Sequence, residues 1–490
     1  MSLEILVIAA VLVGLGVSIA AVIHPAGPAL IVLLITPFDP ILTNIFGLAG
    51  NYITILPIIL VLFKTNPARW GYLFLGTRAQ RALFFFVMIM SISVAIGYRE
   101  VGSAAIATYL QRFAGFLLAG VIADGFKNNN YVDLCLKVLT ISMALFALVS
   151  MLEFYVGIHL IPTGGSVADL GLSAAEETVN VHASRLPGAG RSVPINRFAL
   201  QLLLPIGISI GWLMSGNRRF RGLAELSCLI VLLSALVGTM SRSGFLGLAV
   251  GAAVVTVSAF RLRPTMVLAT LALAGILAFG ADRVLTHLDL NQELASRLAG
   301  RDIDAGSTTR LSAWTHGLKL FADSPVFGVG YGVHTTPGVP WSPTARDPHN
   351  AYIRVLSFYG VVGAVFFFYF VWSLFRTLLR SALRAEDRLE YWRPYMLAGF
   401  WSLLVVNSFN SYFFDRFMFI VLGFAAALEL SRRASAAAII RGADGNQANH
   451  LSLHGDARRE PGSDPNDAWA NVPPTEGRSA RTSDSVWHRV

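Results

Sequence analysis

Residues 346–372 read RDPHNAYIRVLSFYGVVGAVFFFYFVW: a histidine and an amide set between charges, followed by a long apolar run. That run is long enough to cross a hydrocarbon core of about 30 Å, and lipid leaves a helix as the spanning element for it. Similar runs recur at about 82–97, 104–124, 133–157, 196–214, 223–240, 244–260, 264–281, 351–377, 395–412 and 414–431. Upstream, residues 3–63 hold three further apolar stretches interrupted by Pro25, Pro28, Pro37 and Pro40. The sequence therefore predicts an all-α polytopic membrane protein of about 12 or 13 transmembrane helices, occupying residues 1–431. Composition agrees: 54% of the 490 residues are hydrophobic and 14% charged, against about 25% charged in a soluble domain. Mean hydropathy is +0.60.

Arginine and lysine set the orientation. Lys64, Arg69, Arg78 and Arg81, then Lys127, Arg218, Arg219 and Arg221, Arg261 and Arg263, Arg380 to Arg393, and Arg432 and Arg433 all fall on alternate connectors. The positive-inside rule makes that side cytoplasmic. The two long polar loops, 158–195 and 282–350, then face outward, and the second is expected to contain short helices. The net charge of +9 is explained by this asymmetry rather than by nucleic acid. Residues 432–490, rich in Gly, Pro, Ser, Asp and Asn, read as a disordered cytoplasmic tail. The N-terminus lacks a basic flank and a small-residue cleavage site, so it reads as a retained span. Cys135 and Cys228 supply neither a disulfide framework nor a metal site.

Span centres hold almost no acidic residues, which weighs against a proton-coupled transporter. Polar chemistry gathers instead at the outward face, in SRLPGAGRSVPINRF (184–198), in the hairpin GTMSRSGFLG (238–247) and in the second long loop. Arg242 has no acidic neighbour in sequence. A lone arginine at a membrane surface usually snorkels. On the outward side, however, beside Ser241 and Ser243, it also suits an anion such as phosphate. In TTRLSAWTHGLKLF, Leu311, Trp314, Leu318 and Phe321 recur at helical spacing, with Ser307 or Thr308 as cap, which puts Arg310 in the first turn. There it either joins the backbone N–H groups in holding an anion or pairs with Asp302 or Asp304. GVGYG (328–332) lacks the strand, helix and lysine of a nucleotide loop, and its glycines are expected to make tight turns. His349 is suited to taking a proton from a hydroxyl, with Asp347 or a carbonyl orienting its ring; the commoner role for such a histidine and Asn350 is to cap the next span.

Together these segments resemble the O-antigen ligase and O-antigen polymerase superfamily of the bacterial envelope. The likeness rests on SRSG (241–244), RLSAW (310–314), DSPVFGVGYG (323–332) and HNAYIRVLSFYGVVG (349–363), in that order. The resemblance implies an enzyme of the bacterial inner membrane that transfers glycan at the periplasmic face without metal or other cofactor. The donor would be a glycan on undecaprenyl diphosphate, and the acceptor lipid A-core, a growing glycan or another hydroxyl. By position, Arg242, Arg310 and Arg185 match diphosphate-binding arginines and His349 the catalytic base, while Arg191 competes with Arg185 and Arg112 is a further candidate. Ligase and repeat-unit polymerase share all these residues. A polysaccharide exporter, which would need charges deep in the spans, and a structural scaffold, which would leave the outward arginines unexplained, are the competing classes.

Overall fold

The computed structural model describes residues 24–39, 41–42, 55–65, 70–101, 103–157, 185–189, 193–215, 221–260, 303–331, 347–380 and 387–455. Every regular element among them is helical. In chain order these are α1 (Gly27–Ile35), α2 (Ile55–Lys64), α3 (Trp70–Leu75), α4 (Arg78–Val101), α5 (Ser103–Phe126), α6 (Asn129–Met151), α7 (Ile195–Met214), α8 (Arg221–Thr239), α9 (Arg242–Phe260), α10 (Ile303–Asp323), α11 (Ala351–Leu379), α12 (Arg388–Asn407) and α13 (Arg416–Gly455). The chain divides into two units, Met1–Ala434 and Ser435–Val490.

The protein is an integral membrane protein. Five described helical stretches are long and apolar enough to cross a bilayer: Arg78–Tyr98, Asn129–Val156, Ile195–Met214, Gly222–Thr239 and Ala351–Leu379. Helices also cover the runs expected at 104–124 and 244–260, and most of those expected at 395–412 and 414–431. Among them α5 carries Arg112 and Asp124, and α12 carries Arg388, Glu390 and Arg393. The run at 264–281 and most of residues 3–63 lie outside the described residues, so a total of 12 or 13 spans is not reached among them.

α9 packs most extensively against α12, α4 against α11, and α7 against both α8 and α12. Large aromatic side chains fill the spaces between them. Phe86 of α4 stacks on Phe414 with centroids 5.5 Å apart, and Phe367 of α11 meets Phe413 edge-on at 4.6 Å. Phe86, Phe367 and Phe413 are all buried. Each ring removes on the order of 150–250 Å² from its surroundings, so this cluster fixes the connector between α12 and α13 against the α4–α11 pair.

Two boundaries differ from the sequence reading, each for a local reason. The runs at 395–412 and 414–431 were expected almost to touch, but α12 ends at Asn407 and a polar connector, 408–415, follows. Asn407 and Asn410 donate their side-chain amides to the carbonyls of Leu403 and Val406. Such bonds offer the backbone an alternative to continuing the helix. The last helix, in turn, reaches Gly455, beyond the start of the expected tail. Its SAAAII stretch, 435–440, is made largely of good helix formers. Residues 456–490 lie outside the described residues.

α11 is broken once. Gly360 has φ +62° and ψ −165°, outside helical values, and the amide N–H groups of Val361 and Val362 donate to the carbonyls of Pro325 and Val326. The segment after α10 thus supplies acceptors that the broken helix lacks. That segment is DSPVFGVGYG, in which Gly328 and Gly330 take φ of +72° and +100°. Only glycine enters this region without a steric penalty, so the motif is a turn, as expected of it. It is anchored by Val329 N–H to the Ser357 carbonyl and Tyr331 N–H to the Ser93 carbonyl.

Candidate active site

Three segments far apart in sequence meet at one end of the helix bundle. The first is the turn between α8 and α9. Met240 there has φ +48°, a left-handed value rare for a side-chain-bearing residue, and Ser241 caps α9 by accepting from Gly244 N–H at 3.3 Å. Arg185 grips this turn from outside: its Nε donates to the Thr239 carbonyl at 3.0 Å and an Nη to the Met240 carbonyl at 3.4 Å. Leu186 N–H adds a bond to the Gly238 carbonyl. Arg185 therefore shapes the turn that presents Arg242, which stands exposed at the first position of α9.

The second segment is the turn before α11. Asn350 accepts from the backbone N–H of Tyr352 and Ile353, capping the helix, and donates to the Ser408 carbonyl at 2.9 Å. His349, half-buried, has φ +46°. Asp347 Oδ1 accepts from His349 backbone N–H at 2.9 Å and from Ser411 Oγ at 2.7 Å. Its second oxygen pairs with Arg354 at 3.1 Å. Burial favours the neutral acid, but Arg354, His349 and the two hydrogen bonds outweigh it and hold the carboxyl below the usual carboxylate range.

The third segment is the connector 408–415, which joins the other two. Asn410 Nδ2 donates to Ser243 Oγ at 3.1 Å, and the Asn410 carbonyl accepts from Ala351 N–H at 3.0 Å. The turn bearing Arg242 and the turn bearing His349 thus share one residue as partner. Ser241 Oγ, fully buried, donates to Asn196 Oδ1 at 3.0 Å. At the start of α13, Asp415 pairs with Arg197 of α7 at 2.7 Å and accepts from Gln201 at 3.0 Å, while Arg416 pairs with Asp39.

Arg310 lies differently from its sequence placement. α10 begins at Ile303, so Arg310 falls beyond the second turn rather than in the first, and it is exposed. Asp304, suited to a helix start, allows the earlier beginning. The buried face is also rotated. Ala313 is buried whereas Leu311 is 63% and Leu318 47% exposed, and a side chain at Gly317 would stand 2.8 Å from Ile353 and 3.4 Å from Pro348. α10 therefore packs its small residues against the His349 turn, which brings the helix bearing Arg310 alongside that turn. Arg191 and the side chains of Ser307 and Thr308 lie outside the described residues.

Sequence reading missed Arg354, Asn196, Asn410, Ser411 and the Arg197–Asp415 pair. A signal was present: NSFNSYFFDR, 407–416, is a polar run between two apolar ones. The two serines of the hairpin also differ from expectation, since both hydroxyls are bonded within the protein rather than arrayed toward an anion.

The fold and this cluster define a class: an integral membrane protein with arginines, a histidine and amides concentrated where helices end. Residues 226–368 match a family model described as O-antigen ligase. The match spans the α8–α9 turn, α10, the glycine turn, the His349 turn and the first part of α11, and over that segment it supports the O-antigen ligase and polymerase superfamily. The family suggests glycan transfer of the ligase or polymerase type, with a lipid-linked glycan donor and a glycan acceptor. No curated protein matches the chain.

Proposed function

We propose that the protein transfers a glycan from undecaprenyl diphosphate to an acceptor hydroxyl at the periplasmic face of the bacterial inner membrane, as an O-antigen ligase-type enzyme. The observation that carries this reading is the shared partner Asn410, which ties the turn presenting Arg242 to the turn presenting His349. A lipid diphosphate stays at the membrane interface, so its cationic partners and the base that activates the acceptor must both stand at helix ends there.

In the proposed reaction His349 takes the proton of the acceptor hydroxyl, whose oxygen attacks the anomeric carbon of the donor glycan. The bond from that carbon to the diphosphate oxygen breaks, and undecaprenyl diphosphate leaves with the electron pair. Arg242 and Arg310 offset the negative charge that grows on the leaving group, a role in which fixed cations act with little reorganisation. Arg185 contributes by holding the Met240 turn. Left-handed backbone at both Met240 and His349 is consistent with turns built for presentation rather than for lowest energy. The donor is already activated by its diphosphate, so the step calls on no nucleotide.

The test is the length distribution of glycans left on undecaprenyl diphosphate in a strain lacking the protein, complemented with wild type, His349→Ala or Arg242→Ala. Long lipid-linked chains with a bare acceptor, restored only by wild type, are expected. Accumulated single repeat units would make the protein the polymerase of the same superfamily, and units trapped on the cytoplasmic side would overturn the reading in favour of an exporter.

A further inference from the structure

Beside the His349 turn, and apart from Arg242 and Arg310, a second cationic feature is built into the helices. Arg112 of α5 and Arg354 of α11 line one small, partly open cavity with Tyr331, Tyr359, Ser411 and Phe414. Each guanidinium lies against aromatic rings. Arg112 sits 5.4 Å from the Phe414 centroid, and Arg354 sits 5.1 Å from Phe358 and 5.9 Å from Tyr331. Arg354 is matched by Asp347. Arg112 donates to the Phe414 carbonyl at 2.7 Å and pairs with no carboxylate among the described residues. Two cations and one carboxylate leave an excess positive charge in an apolar surround.

An uncompensated charge among apolar neighbours is costly, and a cation there is ordinarily matched by an anion. No hydrogen bond is made by the Tyr331 or Tyr359 hydroxyl to another described residue, and both tyrosines line the cavity. Two phenolic donors and a guanidinium with donors to spare make a site for oxygen acceptors carrying negative charge. The turn DSPVFGVGYG and the break at Gly360 are what bring Tyr331 and Tyr359 to the same place. The enclosed space admits about one water, which suits one oxygen of an oxyanion whose remainder lies toward the open side, and not a whole sugar ring.

We propose that this cavity is an oxyanion subsite, distinct from Arg242 and Arg310, in which Arg112 and the Tyr331 and Tyr359 hydroxyls hold one carboxylate or phosphate group of the substrate. The identity of that substrate rests on the function proposed above; the anion site does not. Two sources carry such a group beside His349: the carboxylate of an acidic sugar, or a phosphate of the lipid carrier.

The experiment uses the full chain in lipid nanodiscs and reads the shift of its thermal unfolding with added glucuronate, inorganic diphosphate or, as a neutral control, glucose. Tyr359→Phe removes one hydroxyl and keeps the packing, and Arg112→Gln removes the cation. Stabilisation by glucuronate that weakens about tenfold in Tyr359→Phe, as loss of one hydrogen bond to a charged group implies, assigns the subsite to the glycan. The same pattern with diphosphate assigns it to the carrier lipid. Stabilisation by neither anion, or equal stabilisation of wild type and Tyr359→Phe, overturns the subsite. Because binding is read without turnover, anion binding in a protein that transfers no glycan would refute the enzymatic reading and leave the subsite standing.

Discussion

Replacing Arg354 by methionine removes the cation from a pair whose other member, Asp347, also receives Ser411 Oγ and His349 N–H. The arginine side chain is 19% exposed and the aspartate 22%, so the pair is mostly shielded from water. Two unit charges about 4 Å apart at an effective dielectric near 20 attract by roughly 4 kcal/mol. Breaking a buried pair by removing one partner costs about 3–5 kcal/mol, and the residual exposure here puts Arg354→Met near the lower end. A loss of about 3 kcal/mol is a shift of roughly two decades in a folding or local-ordering equilibrium. Asparagine at 347 keeps an oxygen that accepts from Ser411 and His349 but no longer requires a cation. The double variant Arg354→Met, Asp347→Asn is therefore expected to recover most of what Arg354→Met loses.

The assay is a double-mutant cycle on purified protein, read both as the unfolding midpoint and as glycan transfer. A coupling of at least about 1 kcal/mol, with the double variant above Arg354→Met, is expected. Arg354→Met behaving as wild type, or a double variant no better than the single, would refute the idea that this pair holds the His349 turn. Acidity gives a second reading. The carboxyl of Asp347 is held below its ordinary value, so it contributes stability above about pH 4 and loses that contribution as pH falls through its folded pKa. The stability gap between wild type and Asp347→Asn should narrow between about pH 7 and pH 3.

His349→Ala is expected to lower transfer by about 10²- to 10⁴-fold, and Arg242→Ala by about 10²- to 10³-fold, with unchanged membrane insertion; transfer at wild-type rate in either removes that residue from the site. Asn410→Ala deletes the amide that reaches Ser243 and leaves the Ala351 N–H bond to its own carbonyl. It should reduce transfer without greatly lowering the unfolding midpoint, by about 1 kcal/mol at most; an unaltered rate would count against the tie between the two turns. Gly360→Ala places a methyl group against the Val326 carbonyl with φ at +62°. It should cost more than about 1 kcal/mol and appear as poor recovery of folded protein, whereas Gly207→Ala, with only the Tyr395 carbonyl at 3.7 Å, should be tolerated.

The helices were legible because lipid imposes one requirement on every span, and the runs at 82–97, 133–157 and 351–377 meet it without competing signals. The clustering of polar residues at helix ends was legible in kind for the same reason: charged and amide side chains mostly avoid span centres, so they mark span ends. What could not be read was partnership. Asn410 lies 167 positions from Ser243, and nothing local in either segment announces the other. The bonds of Arg185 to the Thr239 and Met240 carbonyls span more than 50 positions and are not announced by its own segment. Arg310 was misplaced within its helix because a cap assigned from Ser307 or Thr308 competes with an equally permissible start at Ile303, and hydroxyl residues are common in both settings. The glycines at 328 and 330 were readable as turns, but their purpose, completing the backbone bonds of a helix broken at Gly360, is visible only when the two segments are together.

The connector 408–415 explains why the polar residues at this end form one unit. α9, α11 and α13 each begin here, and each is packed along its length against a different partner, so nothing in the apolar contacts alone fixes the height of one helix start relative to another. Apolar surfaces slide with small loss, whereas a hydrogen bond is lost over a few tenths of an ångström. Asn350 to Ser408, Ala351 to Asn410, Asn410 to Ser243 and Asp347 to Ser411 tie the starts of α9 and α11 to the connector that leads into α13 and give them a fixed spacing. A reaction between a lipid-bound donor and a second glycan depends on such spacing, because displacing a reacting group by about 1 Å can cost two decades in rate. In the proposed reaction the amides and serines of the connector act through the positions of Arg242 and His349, and polar substitutions that keep their hydrogen bonds should be far milder than apolar ones of equal volume.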